Sequence, residues 1–271
     1  MLSSDNHSPL DDIAFLARSE RRVVALDALA EGPRSGADLR AITDASSSTV
    51  RRLLREFEDR YWIRRDGNRY EATPLGAYVA AGMRDLLERF DTERTLRGVW
   101  RWLPTDACGF LVEVDPESDL VVTVAEAADP YRPVNRFVSL LRESSRFRFV
   151  GFDLALLEPC KDELARRIVD GMRTEIVDPP SVARYVLATY PDHCTGPLES
   201  GNLAVWVHDD LPPYGVCVFD ERIAISGYHR DSGTVRVLID TDDPRAREWA
   251  ESTFETYRRE ARSFPLGPLA E

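Results

Sequence analysis

At 271 residues the chain has room for two modest domains, each able to bury a core, and no segment approaches the ~18 uninterrupted apolar residues of a membrane span. Acidic residues outnumber basic ones 47 to 35, for a net charge of −12, and Lys161 is the only lysine, so nearly all positive charge is arginine. Four scattered cysteines (Cys108, Cys160, Cys194, Cys217) form no CxxC pair, and no signal peptide is visible, which points to reduced thiols in a cytoplasmic protein.

Residues 1–8 are polar and expected to fray. From Pro9 to Ala30 the apolar spacing predicts a helix broken near Ser19 and ended by Gly32-Pro33. Gly36 to Thr73 then reads as helix, turn, helix and hairpin. A short helix carrying Leu39 and Ile42 leads through Thr43-Asp44-Ala45 into a second helix, Ser46 to Asp59, whose serine-rich entry supplies N-cap candidates. Val50, Leu53, Leu54 and Phe57 recur on one face of it, so Ser48, Arg52 and Arg55 share the opposite face, flanked by Ser47 and Arg51. Tyr61 to Arg65 and Arg69 to Thr73 form two strands around Asp66-Gly67-Asn68, the wing of a winged helix.

This arrangement predicts DNA binding. Short polar residues and arginines on the first two turns of a helix suit a major groove, where Arg reaches guanine O6 and N7 and Ser or Thr contacts bases or phosphates. Between residues 51 and 69 there are seven arginines against four acids, an island of positive charge in an acidic chain. The expected contacts are Ser47, Ser48, Arg51, Arg52 and Arg55 on the helix and Arg64, Arg65 and Arg69 on the wing. The plainer reading, an ordinary solvated helix face, would make turn, wing and charge coincide by accident. Charge is also unevenly divided: residues 1–95 hold 15 arginines and 17 acids, the remainder 20 basic and 30 acidic residues.

Thr73-Pro74 opens a longer helix to about Thr92, with Leu75, Tyr78, Val79, Met83, Leu86, Leu87 and Phe90 as an apolar stripe that packs on its own domain or on a second copy; a homodimer is expected. Trp100 and Trp102 are expected to plug the hinge to the next domain. Beyond Thr105 strands and helices alternate. Strands are expected at 109–114, 120–125, 147–152, 173–177, 203–207, 215–219, 222–228 and 234–239, and helices at 133–143, 159–170 and 180–189. A last helix begins at Pro244 with Asp243 as N-cap and Ala246, Trp249, Ala250, Thr253, Phe254 and Tyr257 on its buried face, before a loose tail from Pro265. The fold class is therefore α+β: a winged helix-turn-helix domain over 9–95 followed by a mixed α/β effector domain over 105–264.

Ser200-Gly201-Asn202-Leu203, Val207-His208-Asp209-Asp210-Leu211-Pro212, Gly215, Val218 to Ala224, Gly227-Tyr228 and the helix Pro244 to Tyr257 resemble the middle domain of archaeal regulators first described in methanogenesis control. Members from salt-loving archaea join it to an N-terminal winged helix, and the scarcity of lysine suits a protein built for multimolar salt. The resemblance covers roughly residues 10–262 and is most specific from Ser200 to Tyr257. It implies a transcriptional regulator with a signal-sensing second domain, and it brings no known ligand and no catalytic residue with it.

Catalytic and metal chemistry fare poorly on the residues. The strand and helix order is also similar to sugar-sensing domains related to phospholipase D folds, whose enzymes need HxKxxxxD. Here His208 is followed by Asp209-Asp210, and Lys161 is far away in sequence, so that motif cannot be assembled. His193, Cys194, His208, Cys217 and His229 match no closed zinc spacing, and nothing in the sequence marks Cys194 as a redox switch. No cofactor or metal is expected. A small-molecule effector pocket lined by Trp206, His208, Tyr214 and Tyr228 is one expectation; the other is that Trp206 and Tyr228 are core aromatics. Two other functions stay open, a protein-interaction adaptor and an enzyme with an appended winged helix. Double-stranded DNA is the expected partner, with no membrane association.

Overall fold

The computed structural model describes residues 8–103, 109–112, 114, 115, 118–151, 154–229 and 234–264. By its contacts the chain divides into two units, Met1–Asp91 and Thr92–Glu271. Among the described residues no helix is long and apolar enough to cross a membrane.

The first unit opens with α1 (Pro9–Ala17) and α2 (Glu20–Glu31). Ser8 and Asp11 close a reciprocal capping box on α1, and the break between the two helices falls at Arg18-Ser19. A short strand, β1 (Arg34–Ser35), leads into α3 (Gly36–Thr43), whose N-cap Ser35 forms a second capping box with Asp38. The turn to α4 (Ser47–Asp59) is made by Asp44 in the left-handed region at φ 47°, where its N–H reaches back to the Arg40 carbonyl. Val50, Leu53, Leu54 and Phe57 are buried as their spacing requires, and together with Phe15, Leu26, Leu39 and Trp62 they form the core of this unit.

The wing consists of β2 (Ile63–Asp66) and β3 (Arg69–Ala72), paired antiparallel around Gly67 at φ 57°. The sequence did not reveal that β1 adds a third strand, pairing Arg34 with Tyr70 and Ser35 with Arg69. Tyr61 sits at the exit of α4 in the left-handed region, φ 57°, and the Trp62 N–H bonds back to the Phe57 carbonyl. That is a Schellman closure at a position that usually falls to glycine. The wing is seated on α5 (Pro74–Arg97) at Gly76, where an added Cβ would lie 1.8 Å from the Trp62 carbonyl oxygen, so no larger residue fits without backbone movement.

The expected stripe on α5 divides. Val79, Met83 and Leu86 pack into the first unit's core with Ala80, whereas Leu75, Tyr78, Leu87 and Phe90 remain exposed at 61, 81, 42 and 54 %.

In the second unit an eight-stranded mixed sheet is built from β4 (Leu120–Val124), β5 (Arg146–Val150), β6 (Arg173–Asp178), β7 (Leu203–Val207), β8 (Gly215–Val218), β9 (Ile223–Tyr228), β10 (Val235–Thr241) and β11 (Arg262–Ser263). The order across it is β11-β7-β6-β5-β8-β9-β10-β4, with only the β5-β6 and β6-β7 pairs parallel. Its helices are α6 (Arg132–Glu143), α7 (Leu154–Leu157), α8 (Lys161–Val169), α9 (Pro180–Thr189), α10 (Pro191–Glu199) and α11 (Pro244–Glu260). Alternate strand residues feed two cores. Val150, Val177, Val216 and Ile225 pack with Phe254 of α11, while Phe147, Phe149, Ile176 and Cys217 pack with Phe137 of α6 and Ile168 of α8.

Three expectations are corrected here. Gly109–Val112 is a single 3-10 turn and not a strand: Phe110 stacks on Trp249 at 4.3 Å and Leu111 is fully buried, so this apolar run covers α11. Residues 191–199 form a helix where the sequence predicts no element, because Pro191, Gly196 and Pro197 interrupt the pattern. Trp100 and Trp102, expected at a hinge, pack against the second unit's own core. Cys108 and the tail from Pro265 lie outside the described residues.

A buried ionic clasp braces the sheet. Asp240 on β10 is fully buried and accepts from Arg136 Nε and Nη2 at 2.9 and 2.7 Å and from Arg222 Nε at 2.6 Å. Nearby, Asp243 caps α11, its carboxylate accepting the Arg245 and Ala246 N–H groups at 2.8 and 3.0 Å and that of Asp115 at 2.8 Å.

Candidate nucleic-acid interface

Burying Val50, Leu53, Leu54 and Phe57 fixes how α4 can lie, and its opposite face is therefore turned to solvent. Ser47, Ser48, Arg51, Arg52 and Arg55 are all exposed, as are Arg64, Arg65 and Arg69 on the wing. The helix entry is held by short-range bonds. Ser46 accepts the Thr49 N–H at 3.2 Å and exchanges hydroxyl hydrogen bonds with Ser48 and Thr49, both at 2.9 Å. Ser47 accepts from Arg40 Nη1 at 2.8 Å, which brings a guanidinium from α3 to the entry of α4. No sequence pattern marks Arg40, because the contact spans the turn between two helices.

The seven arginines of the basic island do not share one role. Arg60 faces inward: its guanidinium lies 3.8 Å from the Phe15 ring centroid, and it donates to Asp12 Oδ1 at 3.1 Å and to the Glu56 carbonyl at 3.0 Å. Arg22 covers the same ring at 4.0 Å and pairs with the Glu56 carboxylate at 3.2 Å, which neutralises an acid on α4. Arg64 pairs across the wing with Glu71 at 2.5 Å, and Arg65 donates to the Gly67 carbonyl at 2.9 Å. Arg51, Arg52, Arg55 and Arg69 make no ion pair among the described residues. Asp38 is held below the usual carboxylate range, first by the Ser35 backbone N–H and then by its hydroxyl, with Arg69 and Arg34 contributing at longer range. Its carboxylate thus serves the capping box of α3.

Chemically, this surface offers three adjacent guanidiniums without carboxylate partners among the described residues, ringed by hydroxyls and backed by the basic wing. Such a set suits bidentate donation to a planar acceptor pair and point contacts to phosphate oxygens. Tyr61, 76 % exposed at the base of the wing, is a further surface residue that no motif in the sequence singles out.

The four residues expected to line an effector pocket divide between the two faces of the sheet, three toward α11 and Tyr228 on the other side. Trp206 and Tyr214 pack against the α11 core, with the Arg258 guanidinium 4.7 Å from the Trp206 ring. His208 stands edge-on to Tyr257 of α11 at 5.5 Å, and its Nδ1 accepts the Asp210 N–H at 3.1 Å. Tyr228 packs against the opposite core, with its hydroxyl 2.6 Å from that of Ser226. Of the histidines and cysteines weighed as metal ligands, His193 and Cys194 are neighbours on α10 and the others lie elsewhere, and the described residues contain no group of three His, Cys, Asp or Glu placed to hold an ion. Burial pushes the Cys194 thiol above its ordinary range, so it is held protonated.

Residues 130–260 match the family described as the middle domain of the methanogenesis regulatory protein FilR1, and residues 10–95 match the HVO_A0261 N-terminal domain. No curated protein matches the chain. Among solved structures, TrmBL2, an archaeal chromatin protein with a novel mode of DNA binding, is 14% identical, with 94% of this chain and 99% of that chain covered at a TM-score of 0.42. Phosphatidylserine synthase of Haemophilus influenzae Rd KW20 is 12% identical over 54% of this chain and 39% of that chain, at 0.41. The riboflavin-analogue dimethyltransferase RosA of Streptomyces davawensis is 18% identical over 73% and 63%, at 0.25. At these TM-scores none of the three bears on function.

Proposed function

We propose that this chain, an archaeal regulator of haloarchaeal type that joins an HVO_A0261-type winged helix-turn-helix domain to a FilR1-type middle domain, binds double-stranded DNA at specific sequences in the cytoplasm. The observation that carries this reading is the exposed set Arg51, Arg52 and Arg55 on the solvent face of α4, unpaired among the described residues. In a chain of net charge −12, arginines without carboxylate partners on one helix face are available to an outside anion.

In this reading α4 enters the major groove with Ser47 and Ser48 at its leading end, and the arginines reach guanine edges or phosphates. Arg64, Arg65 and Arg69 follow the backbone beside it, and Arg40 steadies Ser47. The protein acts as a homodimer, which the exposed Leu75, Tyr78, Leu87 and Phe90 on α5 support, and two-fold symmetry then places two α4 helices on two half-sites. The second unit senses a signal and does no chemistry, in keeping with the regulator-type families matched.

Genome-wide crosslinking of the tagged protein in native salt tests this, wild type beside the Arg51, Arg52, Arg55 triple alanine. Sharp sites that vanish in the mutant, with paired half-sites in the motif, are expected. Absence of sites for both proteins across several growth conditions would favour a protein-docking role for the winged helix.

A further inference from the structure

The second unit holds a hollow at one end of its sheet. Helices α8, α9 and α10 stand off from β6 and β7 and enclose a cavity of about 130 Å³. Ile176, Leu203 and Val205 form its floor, and Leu164, Val186 and Leu198 form its walls. Of these only Ile176 is buried; the other five are half-buried although they point into the domain, because they face space in place of a neighbour. Elsewhere in this unit the core side chains Phe137, Phe147, Phe149 and Leu141 are sealed completely. Small residues leave the room: Ala165 and Ala183 line the hollow beside the protonated thiol of Cys194. An apolar cavity of about 150 Å³ holds benzene, so this slightly smaller one accepts a body of about six non-hydrogen atoms.

Its polar rim is asymmetric. Glu158 accepts a hydrogen bond from the Tyr190 hydroxyl, and Asp162 pairs with His193 Nε2 at 2.6 Å. Asp178, buried at the strand end, also has a partner. The Tyr190 hydroxyl leaves the Glu158 charge in place, and Lys161 is the cation among the cavity's lining residues. Its ammonium lies 5.4 Å from the Tyr190 ring centroid and makes no ion pair among the described residues. It is also the only lysine in a chain whose other 34 basic residues are arginine. A compact ammonium on a flexible stem can bond a single anionic oxygen as a point charge, without the fixed flat fork of a guanidinium.

We infer that this cavity is a binding site for a small hydrophobic monocarboxylate, its apolar body between α8, α9, α10 and the β6-β7 floor and its carboxylate on the Lys161 ammonium. The inference deepens the reading of the second unit as a sensor and rests on it for its regulatory meaning, while the binding site itself stands on the cavity and the lysine. Aromatic and branched short-chain acids are the fitting class. The floor and the three helices come from separate stretches of chain, so occupancy would tie α8, α9 and α10 to the sheet.

Calorimetry on the full-length protein, in the salt that keeps it folded, decides the matter with benzoate, phenylacetate and isovalerate as probes and benzyl alcohol as the uncharged comparison. At least one acid is expected to bind one per chain, more tightly than benzyl alcohol. Lys161→Met should weaken the acid roughly tenfold or more while leaving benzyl alcohol unchanged, since a tenfold loss matches one charge-assisted contact. Ala165→Phe should abolish both, and because Lys161→Met sits at the rim, the test survives if the filled variant misfolds. No acid binding below about 10 mM, equal affinity for acid and alcohol, or acid binding unaffected by Lys161→Met would each overturn the inference. DNA occupancy is measured in parallel with and without the bound acid. Binding as expected with occupancy unchanged would uphold the site and remove only the sensor reading.

Discussion

Two sets of arginines show how one residue type does opposite work in this molecule. On α4, Arg51, Arg52 and Arg55 project into solvent with no ion-pair partner among the described residues. In the second unit, Arg136 and Arg222 close on the fully buried Asp240 with three hydrogen bonds of 2.6 to 2.9 Å, and Arg222 also reaches Asp119 at 3.0 Å. Asp240 raises the Arg136 pKa through its hydrogen bond, so that charge is committed to the fold. The difference teaches that arginine content says little by itself; whether an acid is within reach decides whether the charge is committed to the fold or left facing solvent. Substitutions at the clasp should therefore disturb folding, and substitutions on α4 should disturb binding alone.

The largest effect is expected at the clasp. Asp240→Ala leaves two guanidiniums facing a buried void and should cost about 3 to 5 kcal/mol, read as a lower denaturant midpoint for the second unit. Next comes the opposite case. The Arg51, Arg52, Arg55 triple alanine should change stability by less than about 0.5 kcal/mol. Site affinity should fall by about 1 to 3 kcal/mol for each arginine that is bidentate to guanine. The salt dependence should flatten by about 0.9 in log–log slope for each phosphate contact removed. An unchanged site affinity would take these residues off the reading face, and a large loss of stability would erase the contrast with the clasp.

A smaller effect belongs to Asp243. Burial pushes its carboxyl up, but the N–H groups of Asp115, Ala246 and Arg245 outweigh that and leave it below the usual aspartate range. A depressed folded-state pKa means the stabilisation is complete above the unfolded value near ~4 and is lost as pH falls through the folded one. Asp243→Ala should thus cost about 0.5 to 2 kcal/mol at neutral pH, and its stability should decline less between pH ~4 and acid than that of the wild type, as followed by urea melts across pH. Smallest is Glu71→Gln on the wing. Its pair with the 70 % exposed Arg64 should be worth less than about 1 kcal/mol, and releasing that guanidinium should hold or raise DNA affinity in a direct titration.

Much of the first unit was legible because its signals are local. The face of Val50, Leu53, Leu54 and Phe57 dictates the burial of α4, Ser46 caps it, and Gly67 makes the wing turn within a few residues. What failed there was long-range or too short to show a period: the two-residue strand β1, the Arg40 bond to Ser47, and the inward turn of Arg60 toward Phe15. In the second unit α11 was readable from Asp243-Pro244 and its apolar face, as were β7 to β10. Helix α10 was hidden because Pro191, Gly196 and Pro197 are poor local evidence for a helix, and packing against α8 overrides them. Gly109–Val112 misled in the other direction, since an apolar run without periodicity reads as strand until Trp249 claims Phe110.

The sequence alone determined the elements whose causes lie within one or two helical turns: caps, breaks, the buried face of α4, the hairpin and the arginine-rich chemistry of its solvent side. Only the tertiary structure decided the sheet order, which of the arginines are spent on carboxylates, that Tyr228 faces the core opposite to that of Trp206 and Tyr214, and that the sole lysine lines a hollow. Those depend on segments brought together from distant parts of the chain, and no local pattern of side chains records which distant neighbour will fill, or fail to fill, the space beside them.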